Sequence, residues 1–272
     1  KDFKDEHVKD CVNLAIVGMP NVGKSSLMNG LLQEEKSIVT PIAGTTRDSI
    51  DSFLRYNKQD FRLIDTAGLR KKSKITGDIE FYSTVRTFRV IQDCDLAAVL
   101  IDGDKGFDNQ DKDIIRHVID SGKGLVIVVN KWDLLEKDTH TQKEYRLDII
   151  GQYPMLAYYP ILFISVAHNL RTREVLKTSL EVFKERQRKL KTSDVNDFIK
   201  KAMAYHSPPI LKGKNITIKY GAQVHHSPPI FALFSNHPND IPVQYKRYLE
   251  NSLRDNFGFN GVPIKISFRE NK

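Results

Sequence analysis

Gly18-Met19-Pro20-Asn21-Val22-Gly23-Lys24-Ser25 sets two glycines, a cation and a hydroxyl at spacings that suit a chain of phosphates. The glycines let the backbone wrap tightly, so that successive N–H groups and the N-terminus of a following helix converge on one anion. Lys24 is placed to bridge a β- and a γ-phosphate, and the Ser25 hydroxyl to ligate Mg²⁺. Such a loop needs a strand before it and a helix after it. The apolar run Val12–Val17 and the helical stretch Ser26–Leu32 supply both. Phosphate contacts are therefore expected from Gly18, Met19, Pro20, Asn21, Val22, Gly23, Lys24, Ser25 and Ser26.

A second phosphate element, Asp65-Thr66-Ala67-Gly68 followed by Leu69, closes the apolar run Phe61–Ile64. Asp65 is expected to hold the Mg²⁺ shell, and the Gly68 N–H to approach the γ-phosphate. Between the two lies Gly44-Thr45-Thr46-Arg47-Asp48 on a polar stretch. Thr46 is expected to complete the magnesium shell, with Thr45 as the alternative. The catalytic set read from these residues is Lys24, Thr46 and Gly68.

The other end of the ligand is read from Asn130-Lys131-Trp132-Asp133, which follows the run Leu125–Val129. A carboxylate here accepts two hydrogen bonds from guanine, at N1–H and at the exocyclic amino group. Adenine offers an acceptor at N1 and no amino group at C2, so Asp133 facing it is left unsatisfied, a cost on the order of a few kcal/mol. Asn130 is expected to tie this loop to the phosphate loop, and the Lys131 stem to cover one face of the base. Ser165-Val166-Ala167, after the run Ile161–Ile164, offers backbone N–H groups to the guanine oxygen. The ligand implied is GTP or GDP with Mg²⁺.

Five apolar runs position these loops: Val12–Val17, Phe61–Ile64, Leu96–Ile101, Leu125–Val129 and Ile161–Ile164. Unbroken runs of this length suit strands covered on both faces. Between them lie amphipathic stretches such as Ile114, Ile115, Val118, Ile119 and Leu176, Leu180, Phe183. The alternation predicts an α/β fold, a mainly parallel sheet with helices on both sides and ligands beyond the carboxyl ends of the strands. After the basic run Lys184–Lys191 the pattern changes to α-β-β-α-β. Its signals are Val195, Phe198, Ile199, Ala202 and Met203 (helix), Ile216, Ile218 and Tyr220 (strand), Phe231–Phe234 (strand), Tyr245, Leu249, Leu253 and Phe257 (helix), and Val262, Ile264, Ile266 and Phe268 (strand). The expected division is residues 1–10 as linker or tail, 11–190 as the phosphate-loop domain, and 191–272 as a small α+β domain. His-Ser-Pro-Pro-Ile, at 206–210 and again at 226–230, reads as loop chemistry at element ends.

The 272 residues are 40% hydrophobic and 28% charged, an ordinary globular composition. No apolar run approaches the roughly 20 residues of a membrane-spanning helix. Two cysteines, Cys11 and Cys94, suit buried thiols in a reducing cytoplasm rather than a disulfide framework or zinc site. His206, His225, His226 and His237 lack accompanying Cys or close carboxylates and read as loop histidines. The net charge of +8 favours an anionic partner. Residues 192–272 carry 11 Lys/Arg against 6 Asp/Glu, so the smaller unit is the more basic per residue. The chain opens on charged residues without Met, which reads as an internal piece of a longer protein.

Together GxPNVGKS, GTTRD, DTAG and NKWD resemble the bacterial translation-factor-related GTPases. Asp65–Lys74, Gln110–Arg116, Gly122–Glu136 and Tyr245–Phe268 narrow the resemblance to the Der, or EngA, family of ribosome-assembly GTPases. That family carries two tandem GTPase domains and a KH-like domain. With one phosphate loop present, the resemblance implies the second GTPase domain plus the KH-like domain, a partner GTPase domain outside this chain, and the large ribosomal subunit with its RNA as partner; no DNA is expected. The chain departs from the family's Ser-Ala-Lys at Ser165-Val166-Ala167. Leu69 stands where Ras-like enzymes place a water-orienting Gln, so slow intrinsic hydrolysis is expected. In related GTPases an Asn at the position of Asn21 ligates K⁺, which implies potassium-stimulated turnover. Arg70, Lys71, Lys72 and Lys74 suit either a nucleotide-gated contact with ribosomal RNA or a solvated basic loop. The smaller unit has no GxxG loop, so ordinary single-stranded RNA binding is not assigned to it. The alternative is a non-hydrolysing regulatory module that holds guanine nucleotide and docks ribosomal RNA or a neighbouring GTPase domain.

Overall fold

The computed structural model describes residues 11–34, 51–64, 87–136, 138–210, 213 and 215–270. Two compact units divide the chain, Lys1–Phe183 and Lys184–Lys272. In the first, the strands are β1 (Val12–Gly18), β2 (Ser52–Tyr56), β3 (Gln59–Leu63), β4 (Leu96–Asp102), β5 (Gly124–Asn130) and β6 (Ile161–Phe163). The helices are α1 (Lys24–Glu34), α2 (Asn109–Asp120), α3 (Thr141–Gln152) and α4 (Thr172–Arg186), the last running across the division. The sheet order is β2-β3-β1-β4-β5-β6, parallel throughout except for the β2–β3 pair. The mainly parallel α/β fold read from the sequence is the one observed.

Every residue of β4 and of β5 is buried, which is why these strands read as unbroken apolar runs rather than as alternation. Each Val, Leu or Ile so buried contributes about 1.5–3 kcal/mol relative to exposure. At the start of β5, a Cβ on Gly124 would lie 2.8 Å from Val182 Cγ1 of α4 and 2.9 Å from Leu96 Cβ, so the helix packs where only glycine fits. Strand β2 is absent from the sequence reading. It alternates between buried Ser52 and Leu54 and more exposed neighbours. Its hairpin turns on Asn57 and Lys58 with φ of 48° and 66°, the left-handed geometry usually announced by glycine. Cys11 and Cys94 are both buried, and neither forms a disulfide among the described residues.

Helix α2 opens on a capping box: Asp108 accepts from Asp111 N at 2.9 Å, and Asp111 accepts from Asp108 N at 3.3 Å. Burial above all pushes the Asp111 carboxyl up from 3.8 to about 6, with the nearby charges of Asp108 and Asp102 adding to the rise and a backbone hydrogen bond from Asp108 opposing it. A carboxyl with a raised folded-state pKa binds its proton more tightly when folded. Its favourable contribution is therefore present below about pH 4 and lost as pH rises through 6. Asp111→Asn keeps an acceptor for Asp108 N and should stabilise the unit at pH 7 by on the order of 2 kcal/mol, with no gain below pH 4. Thermal melts of both proteins across pH 4–8 check this; an equal difference at all pH values would refute the assignment.

The second unit is built from α5 (Thr192–Tyr205), β7 (Ile218–His226), β8 (Pro229–Ser235), α6 (Val243–Phe257) and β9 (Lys265–Glu270), the α-β-β-α-β order read from periodicity. Its sheet runs β7-β8-β9, antiparallel then parallel. Val195, Phe198 and Ile199 of α5 and Tyr245, Leu249 and Leu253 of α6 are buried with Phe231 and Leu233 of β8. A Cβ on Gly221 would come within 2.8 Å of Ile199 Cδ1, so α5 lies close on β7. The strand signals at Ile216, Val262 and Ile264 belong to buried residues just ahead of β7 and β9. The first His-Ser-Pro-Pro-Ile leaves α5, and Ser227-Pro228 of the second is the β7–β8 turn, with a cis peptide bond. Among the described residues no helix is long and apolar enough to cross a membrane.

Candidate nucleotide-binding site

Because β1, β4, β5 and β6 are adjacent and parallel, the loops leaving their carboxyl ends share one edge of the sheet. The loop after β1 enters on Gly18 at φ 142°, where a Cβ would run into the Leu100 carbonyl of β4. Gly23 closes it at φ 101°, where a Cβ would run into the Asn130 side chain. Both glycines are thus fixed by the neighbouring strands as well as by local geometry. Asn21, exposed at the loop's crest, adopts φ 65°. Met19 and Pro20 are half-buried and Val22 fully so. Leu27 N donates to Gly23 O at 2.9 Å, so α1 begins directly from the loop, with Ser25 half-buried and Ser26 exposed in its first turn. The Lys24 ammonium lies over the loop, donating to Gly18 O at 2.8 Å and Met19 O at 2.5 Å.

Asn130 joins three loops. It ends β5 almost wholly buried; its Nδ2 donates to Val22 O at 2.8 Å, and its Oδ1 accepts from Val166 N at 3.1 Å. The loops after β1, β5 and β6 therefore meet on one amide side chain. Next, Lys131 takes the left-handed conformation at φ 61° and begins the short 3₁₀ turn Trp132–Leu134. Its ammonium pairs with Asp102 Oδ2 at 2.6 Å. Trp132 turns inward instead: its ring packs on Phe163 at 4.5 Å and on Tyr145 at 5.5 Å, so it reaches the site edge through its backbone alone. The Asp133 carboxylate lies on the same turn, 3.7 Å from His168 Nε2.

The turn after β6 is knotted by a Ser165–Leu170 bridge, with Ser165 N to Leu170 O at 3.1 Å and the return bond at 2.8 Å. His168 N donates to Ser165 Oγ and Asn169 N to Val166 O. With Val166 N engaged by Asn130, the Ala167 N–H is the amide of this turn that lacks a partner among the described residues. Sequence reading offered the amides of Ser165-Val166-Ala167 without choosing among them, because which amide is already engaged depends on the Asn130 contact. It passed over Asp102 and Gly103, whose only signal was their place at the end of an apolar run. Thr45, Thr46, Asp65, Thr66, Ala67, Gly68, Leu69, Arg70, Lys71, Lys72 and Lys74 lie outside the described residues. Among the described residues no group of three or more His, Cys, Asp or Glu suits a metal ion.

Two families match along the chain. One, described as 50S ribosome-binding GTPase, covers residues 13–131; the other, the KH-domain-like C-terminal domain of EngA bacterial GTPase enzymes, covers residues 189–269. The GTPase Der of Amoebophilus asiaticus is 44% identical over 265 residues, covering 97% of this chain and 61% of that protein. The GTPase Der of Clostridium tetani is 43% identical over 272 residues, 100% of this chain and 62% of that one. This chain thus spans about three fifths of the length of these curated relatives. A solved structure of Era from Aquifex aeolicus bound to GDP.AlF4- has a TM-score of 0.49 and 18% identity, over 96% of this chain and 93% of that one. Near-complete coverage of this chain at such identity, with an EngA-type domain at its C-terminal end, places it, over the length it spans, in the family of the GTPase Der.

Proposed function

We propose that the chain binds guanine nucleotide at the carboxyl edge of its larger sheet and hydrolyses GTP to GDP and phosphate, as a switch in assembly of the large ribosomal subunit. The observation that carries this is Asn130, which gathers the phosphate loop and the turn at Val166 around one side chain. It supports a phosphate cradle that shares one edge with the Asp133 carboxylate, as a nucleoside polyphosphate requires. The curated relatives are GTPases by name, and the family matching residues 13–131 is described as ribosome-binding. In this reading residues 11–190 are the second GTPase domain, 191–272 the KH-like domain and 1–10 the linker that leads to a GTPase domain outside this chain, all working in the cytoplasm.

Lys24 carries the charge at the β- and γ-phosphates, and the loop amides from Asn21 to Ser25 hold the remaining oxygens. The oxygen donors assigned to Mg²⁺, namely Ser25, Thr46 and Asp65, are the hard ligands that ion prefers, with the other positions left to phosphate and water. Bound there, the ion would neutralise charge on the phosphates. Asn21, exposed at the loop's crest, supports the K⁺ reading: a cation beside it sits where charge builds on the transferred phosphoryl group. Asp133 sets the base, with the Ala167 amide for the guanine carbonyl.

The test is binding of fluorescent GDP and ADP, followed by single-turnover hydrolysis of GTP in KCl and in NaCl at equal ionic strength. Saturable binding of GDP with at least 100-fold weaker ADP binding is expected, and faster hydrolysis in KCl. Equal affinity for the two nucleotides would overturn the base assignment, and equal rates in the two salts would remove the potassium role. Hydrolysis no faster than in buffer would favour the regulatory module. Pull-down of large subunits with GDP and with a non-hydrolysable GTP analogue tests the switch, which predicts a clear difference between the two.

A further inference from the structure

Asp102 and Gly103, at the end of β4, belong to none of the sequence motifs, yet they form the seat of the base-reading loop. Asp102 is 5% exposed. Its Oδ2 holds the Lys131 ammonium at 2.6 Å while its Oδ1 accepts from Asp104 N at 3.2 Å. Gly103 N donates to Asn130 O at 2.8 Å, and a Cβ there would stand 2.9 Å from that same oxygen and 3.1 Å from Val129 Cγ1. Tyr145 OH, from α3, donates to Gly103 O at 3.2 Å and fixes the strand end from the other side. The two residues thus grip consecutive positions of the loop, its backbone at Asn130 and its side chain at Lys131.

The grip matters because Lys131 is held in a conformation it does not favour. A lysine at φ 61° carries backbone strain that a flexible side chain cannot offset by itself. Residues 132 and 133 inherit their direction from that dihedral, since the 3₁₀ turn starts there. A buried carboxylate closing on the ammonium stabilises the strained conformer, and it also draws the lysine's methylene stem along the edge between β4 and β5, where β4 Asp102 pairs in register with β5 Asn130. Both effects act on the loop that carries Asp133.

We infer that Asp102 is a positioning residue for guanine-nucleotide retention: paired with Lys131, it holds the base-reading loop in its closed geometry and sets how slowly nucleotide leaves. The inference rests on the proposal that this edge binds guanine nucleotide. Truncating the buried partner of a close charge pair acts mainly on dissociation rather than on association. Asp102→Ala should therefore speed release of fluorescent GDP about ten-fold or more, with association within about two-fold of the parent. Asp102→Asn, which keeps an acceptor but no charge, should fall between, and Gly103→Ala should also speed release by displacing the Asn130 carbonyl.

The measurement is stopped-flow displacement and association of fluorescent GDP on the full chain, alongside melting of each nucleotide-free protein. A folding defect lowers the bound amplitude but leaves the dissociation rate constant of the folded fraction unchanged, so the rate constant isolates positioning. If Asp102→Ala fails to fold, Asp102→Asn carries the test. A parent-like dissociation rate in the folded variant overturns the inference while the site reading stands; failure of the parent chain itself to bind GDP overturns both.

Discussion

Asn130→Ala should weaken GDP and GTP binding by at least about 100-fold and lower the melting temperature of the nucleotide-free chain. The substitution leaves two partners without their bonds, the buried Val22 carbonyl and the partly buried Val166 N–H. Each unmade buried hydrogen bond costs about 1–3 kcal/mol, so two of them cost the fold about 2–6 kcal/mol together. The larger effect falls on binding, because the loops after β1, β5 and β6 lose their shared fastening and must be ordered by the ligand itself. Asn130→Asp is the sharper variant. It keeps an acceptor for Val166 N but sets a carboxylate oxygen against the Val22 carbonyl, so it should be at least as damaging as alanine despite its shape. Isothermal titration with GDP and thermal melts decide the matter; affinity within three-fold of the parent would show that the three loops do not depend on this side chain.

The second large effect is expected at Lys24, and its pattern differs. Lys24→Ala removes a cation that in the unliganded chain rests on Gly18 O and Met19 O, two partly buried contacts whose loss costs the fold little. Charge-assisted hydrogen bonds to phosphate contribute about 1.5–3 kcal/mol each, and one stabilising group aimed at developing charge is worth about 10²–10³ in rate. Single-turnover hydrolysis of GTP should therefore fall by about 100-fold or more. Affinity should decline most for GTP, less for GDP and least for GMP, in the order of the phosphates the ammonium reaches. Asn130→Ala should weaken all three, GMP included, because it disturbs the base end as well. Equal losses for GMP and GTP in Lys24→Ala would remove this lysine from the phosphates.

Much of this was legible from residue types alone. Five of the six strands of the larger sheet contain one of the apolar runs, and β4 and β5 stand out most because every residue in them is buried, and covered strands are apolar without interruption. The phosphate loop was legible because glycine, lysine and serine at that spacing after a strand serve few other ends. The smaller unit's order of elements followed from a switch between two-residue and helical periods. Strand β2 was hidden because a half-exposed edge strand alternates weakly, and Asn57-Lys58 turns its hairpin without the glycine that usually marks one.

Residue types alone set the chemistry to expect: a loop suited to phosphates, a carboxylate suited to guanine, and a run of apolar segments that must pair side by side. The folding of those segments against one another settles instead which neighbours hold each group. Trp132 lies within the base-reading motif, yet it is drawn into the core by Phe163 and Tyr145, since an indole gains more from burial there than from the site's edge. Val166, named for its amide, spends that amide on Asn130. Asp102 carries no motif at all and becomes a partner of Lys131 because β4 lies against β5 in register. The reason is common to all three. Residue type fixes what a group can bond to, but strand order, which is set by long-range burial, fixes what stands within bonding distance.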